Sequence, residues 1–127
     1  MADLSEYKEL YIKTASDLLQ QIKQDFAVFQ EIPSDELIVK LHRNAHSLKG
    51  QSLVMGYESL GLLSKELEFI FRAVKDKQLV LTAQLNQALA DAVQNLYDSI
   101  ESIKSSDKEL DLSGMRQNLE TLSGIQS

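Results

Sequence analysis

A chain of 127 residues that is 43% hydrophobic can bury one sizeable core and is too short for two ordinary domains, so residues 1–127 read as one domain. Its net charge of -6 sets its surface against nucleic-acid backbones and anionic membranes, which leaves proteins as the expected partners of a domain that is itself a monomer. With no cysteine there is no disulfide, thiolate metal site or thiol nucleophile, and a reducing, cytoplasmic setting is expected.

No apolar run approaches the roughly 20 residues that span a bilayer, and Met1-Ala2-Asp3 lacks the basic start of a secretory signal. One proline and five glycines leave long stretches unpunctuated, and their apolar residues recur with a period near that of a helix. The first helix is predicted from about Asp3 to Glu31, with Leu4, Tyr7, Tyr11, Leu18, Ile22, Phe26 and Phe29 on its apolar face. Pro33 stops it. Ser34 is placed to cap a second helix, with Asp35 and Glu36 in the first turn and Leu37, Leu41, Ala45 and Leu48 facing inward, and Gly56 should close it.

The third helix spans about Glu58 to Lys75, with Leu60, Leu63, Leu67, Phe71 and Val74 inward. After a turn over 76–81, Thr82 caps a fourth helix to about Lys104, whose Leu85, Leu89, Val93, Leu96, Ile100 and Ile103 form the most regular stripe in the chain. A polar connector over about 105–110 precedes a short fifth helix bearing Met115, Leu119 and Leu122 and ending at Gly124. The fold class is therefore all-α: an antiparallel four-helix bundle with an additional short C-terminal helix.

Both histidines, His42 and His46, fall in the second helix, one turn apart. They lie about 100° around the helix from the inward stripe, beside the seam, which predicts a partly exposed His46. Helical side chains lean toward the N-terminus, so Lys49 and Gly50 determine what covers the His46 ring. Glycine covers nothing, and a mid-helix glycine costs about 1 kcal/mol relative to alanine, so Gly50 requires a reason. An accessible imidazole with a cation beside it and no bulk one turn on suits an anion arriving at a ring nitrogen.

The run Ala45-His46-Ser47-Leu48-Lys49-Gly50 resembles the signature of histidine-phosphotransfer domains, in which the phosphorylatable histidine is followed by Lys and Gly three and four residues later. The likeness extends through Gly56-Tyr57 to Leu67-Glu68 and is greatest to the N-terminal phosphotransfer domain of chemotaxis histidine kinases. It implies His46 as phosphoryl acceptor, Lys49 as its neighbouring cation, and Glu68 as a third-helix glutamate that bonds the imidazole. A carboxylate on one ring nitrogen would fix the tautomer and free the other as nucleophile. Lys65 departs from the pattern, because chemotaxis kinases often carry a second histidine there; at helical spacing it is placed to draw Glu68 away from His46.

The implied function is that of a phosphorelay intermediate in two-component signalling, fed by a histidine-kinase ATP-binding domain or a receiver aspartate and discharged to the aspartate of a response-regulator receiver domain. No Gly-rich phosphate loop appears, so no cofactor is expected on this domain: ATP and Mg2+ belong to the donor kinase domain, and a further Mg2+ to the receiver. Other readings are a helical interaction module without phosphotransfer and a stand-alone relay protein. His42 with His46 could also suggest a metal, but two imidazoles without a placed third ligand make a weak site, and His42 reads as a solvated helix residue.

Overall fold

The computed structural model describes residues 4–127, with side chains from Ser5 onward. Five helices follow one another: α1 Leu4–Glu31, α2 Asp35–Val54, α3 Glu58–Lys75, α4 Ala83–Ser106 and α5 Ser113–Ser123. The expected start at Asp3 and the place of Leu4 on the apolar stripe lie outside what is described. The expected connector over 105–110 is corrected to 107–112. Helix α4 runs on through Ser106, and its Ser105 and Ser106 hydroxyls donate to carbonyls one turn back, at Glu101 and Ser102.

The helix ends are built from local chemistry. At α2 the Ser34 hydroxyl accepts the Leu37 N–H at 3.1 Å, and at α4 Thr82 does the same for Leu85 at 3.1 Å, each satisfying a free N–H of the first turn. Helix α2 ends with the Gly56 N–H on the Leu53 carbonyl and the Tyr57 N–H on the Ser52 carbonyl, at 3.0 and 2.9 Å. That closure needs a left-handed residue, which Gly56 supplies at φ 84°. Helix α3 has no cap from its own flank; the Glu109 carboxylate, 50 residues on, accepts the N–H groups of Ser59 and Leu60 at 3.3 and 2.8 Å.

The four long helices pack antiparallel. Tyr11, near the start of α1, meets Ser52, near the end of α2, at 2.7 Å, and stacks on Tyr57 just before α3. Lys8 of α1 pairs with Asp107 at the end of α4. Helix α5 lies against α3 and α4. The buried row of α1 is Tyr11, Ala15, Leu19, Ile22, Phe26 and Phe29. Leu18 is half-buried and Tyr7 exposed, contrary to expectation: steps of four from Tyr11 lead to Leu19, with Leu18 one position off the row. For the same reason Ile38 replaces Leu37 in the core of α2, and Val74 reaches only the rim of α3. The stripe expected on α4 is buried in full. Among the described residues no helix is long and apolar enough to cross a membrane.

Two carboxylates of α3 are buried as well. Glu66 points toward α5 and the segment after it, where it accepts the Ser127 N–H at 3.1 Å. Burial pushes its pKa up to about 7, aided by Glu120 and opposed by Ser127 and Arg116. Glu68 points the other way, to α2.

Candidate functional site

Leu41, Ala45 and Leu48 are buried and anchor α2 in the bundle, which turns His42 and His46 toward the α2–α3 border. Leu63, Leu67, Ile70 and Phe71 seat α3 in the same core and bring Glu68 to that border, with 4% of its surface exposed. Glu68 Oε2 lies 2.6 Å from His46 Nδ1. Its Oε1 lies 2.9 Å from Lys49 Nζ. Glu68 is thus a buried carboxylate held between a ring and an ammonium. Burial pushes its pKa up, and the hydrogen bonds and charges of Lys49 and His46 outweigh that, holding the carboxyl below its usual range.

Lys49 Nζ also lies 3.3 Å from His46 Nδ1. An ammonium has only protons to offer, so Nδ1 cannot take a bond from Lys49 while donating one to Glu68. The shorter contact, to a buried carboxylate, decides: Nδ1 carries the proton and donates it to Oε2, and Lys49 rests against the ring while neutralising Oε1. The cation expected to meet an incoming anion is therefore engaged on the Nδ1 side.

With the proton on Nδ1, Nε2 keeps its lone pair. Among the described residues it has no hydrogen-bond partner, and the His46 side chain is 60% exposed. One turn on, a Cβ built at Gly50 would meet nothing within 4 Å. No packing contact requires glycine there, and the space over the ring is open. Lys65 does not draw Glu68 away: its ammonium lies 5.6 Å from the centre of the Phe69 ring, on its own helix, so that expectation is overturned.

His42 also departs from expectation. Its side chain is 18% exposed, and Nε2 lies 3.9 Å from Glu68 Oε2. The one-turn spacing put it on the row of His46, but the depth of that row was set by α3, which the spacing does not see. Among the described residues no group of three or more His, Cys, Asp or Glu side chains comes together in a way that could hold a metal ion.

The site is an exposed imidazole backed by a buried carboxylate and the ammonium paired to it. Residues 6–99 match the Hpt domain model, and the chain belongs to that family. It is 28% identical over 102 residues to the chemotaxis protein CheA of Bacillus subtilis (strain 168) and 25% identical over 97 residues to CheA of Listeria monocytogenes. These stretches are 80% and 76% of this chain but only 15% and 16% of those proteins.

The fold matches the solution structure of the histidine phosphotransfer domain of CheA with a TM-score of 0.86 at 19% identity, covering 98% of this chain and 97% of that one. It matches the phosphorylated P1 domain of CheA3 from R. sphaeroides, solved in complex with CheY6, with a TM-score of 0.82 at 19% identity, covering 92% and 94%.

Proposed function

We propose that this chain is a phosphorelay module whose His46 accepts a phosphoryl group on Nε2 and passes it to a receiver aspartate. The observation that carries the reading is the 2.6 Å contact between His46 Nδ1 and the buried Glu68 carboxylate. In the forward step the Nε2 lone pair forms the N–P bond, and the electron pair of the breaking P–O bond leaves on the donor, as ADP or as an aspartate carboxylate. The ring, protonated on Nδ1 and bonded to phosphorus on Nε2, carries positive charge, which Glu68 stabilises. In the return step a receiver carboxylate oxygen attacks phosphorus, and the N–P pair returns to Nε2. No proton need leave the ring at either stage.

An approach surface is present. His46, Gly50 and Val54 stand in one row along α2, and beyond them Tyr7 and Leu10 of α1 are exposed beside Val54. An exposed apolar patch next to a reactive group suits a protein partner. The CheA3 domain of the same fold was captured phosphorylated and bound to CheY6, which supports such a partner here. We take the donor to be the ATP-binding domain of a histidine kinase, in the chemotaxis arrangement of the CheA relatives, with ATP and Mg2+ on that domain and Mg2+ on the receiver. A donor that consumes ATP places the module in the cytoplasm.

The test is phosphoryl transfer from a phosphorylated receiver domain, followed on wild type, His46→Gln and His42→Gln. Label should enter wild type and His42→Gln and be lost in His46→Gln, whose melting should barely change because an exposed ring adds little packing. Equal loss in both variants would overturn the single-acceptor assignment.

A further inference from the structure

His42 belongs to the site and has no part in the chemistry above. It stands one turn before His46, and its Nε2 is buried with no hydrogen-bond partner. A buried ring nitrogen left unpaired is costly. The acceptor facing it is Glu68 Oε2, 3.9 Å away, which takes one bond from His46 and has a second lone pair free. A shift of about 1 Å brings the two within hydrogen-bond distance. Facing His42 are Lys75, Arg72 and Glu68 from α3 and His46 from its own helix; burial first, then Lys75, Arg72 and His46, hold its pKa below the usual value against the pull of Glu68. The ring is therefore neutral at pH 7, and a neutral donor can hold the carboxylate without dividing its charge.

We propose that His42 is a positioning residue for Glu68: its neutral ring donates Nε2–H to Oε2 and fixes the carboxylate so that it meets His46 Nδ1. This rests on His46 as the acceptor. The network then has two donors, His42 and His46, sharing Oε2 of one buried carboxylate, with the Lys49 ammonium paired to Oε1. Removing the His42 donor frees the carboxylate to rotate toward Lys49, so a larger fraction of His46 rings carries the proton on Nε2 and cannot attack phosphorus.

Nitrogen NMR of the ring nitrogens in the resting protein, combined with initial rates of phosphorylation by a phosphorylated receiver, tests this. In wild type, His42 should be the Nε2–H tautomer; a Nδ1–H tautomer overturns the proposal without any variant being made. His42→Phe keeps a ring and removes the donor. It should slow phosphorylation about three- to tenfold and move the His46 nitrogen shifts toward a mixture of tautomers, with melting held. His42→Gln, whose amide can donate to Oε2, should restore both. His46 shifts and rates equal in wild type and His42→Phe would show that His42 only fills space. A wild-type protein that never accepts a phosphoryl group would instead remove the acceptor reading, leaving the resting nitrogen shifts to decide the network.

Discussion

Glu66 and Glu68 stand two residues apart on α3, and both are buried, yet they face opposite sides of the helix and meet opposite surroundings. Glu68 finds Lys49 and His46 of α2 and is held ionised. Glu66 faces α5 and the segment after it, and burial first, with Glu120 beside it and Ser127 and Arg116 opposing, raises its pKa to about 7. Burial raises the pKa of both carboxylates; what each is buried against decides whether that rise is outweighed. On one face of α3 the charge is fixed and available to a neighbouring ring, and on the other it is a load on the packing of α5.

Replacing each by glutamine separates the two roles. Glu68→Gln should slow phosphorylation of His46 about ten- to a hundredfold, because an amide can accept from Nδ1–H but cannot offset the charge that develops on the ring. Glu66→Gln should leave that rate unchanged. Transfer assays on the two variants check this, and equal rates would erase the functional difference between the two faces.

Covering the site from outside should cost nearly as much as weakening it from beneath. Gly50→Leu places a branched side chain over the turn that carries His46 and should cut transfer by about tenfold or more, with Gly50→Ala intermediate. Neither should lower stability, since a Cβ at Gly50 meets nothing within 4 Å, and alanine should add up to about 1 kcal/mol. Thermal melts beside transfer rates would show whether access and packing are separate here.

A last effect is on pH dependence. The folded pKa of Glu66 lies above its ordinary value of 4.5, so its contribution to stability is whole below about pH 4.5 and is lost as pH rises through about 7. Glu66→Gln should match wild type near pH 4 and be about 1–3 kcal/mol more stable near pH 8. Glu68 has the opposite sign: its folded pKa lies below the ordinary value, so its contribution is present above that value and fades as pH falls through the folded pKa. Denaturant midpoints across pH check both slopes.

The helices were legible from periodicity, and His46 as the proposed acceptor from the Lys49-Gly50 context, because both are local patterns. Ser34, Thr82 and Gly56 mark helix ends through bonds that close within a few residues. The cap of α3 by Glu109 was not legible, since it joins residues 50 apart. Glu66, Glu68 and His42 share that difficulty: an α-helix row gives the direction of a side chain, and only the neighbouring helix gives its depth. Lys65 illustrates the converse, because helical spacing to Glu68 was correct and the side chain nevertheless turned to Phe69.

The central claim is that Glu68 fixes the proton of His46 on Nδ1 and so makes Nε2 the nucleophile. Nitrogen-resolved NMR of the phosphorylated protein reads this directly. The account predicts phosphorus bonded to Nε2 of His46, with the Nδ1 proton retained and still hydrogen-bonded to the Glu68 carboxylate. Phosphorus on Nδ1, or on either nitrogen of His42, would contradict it.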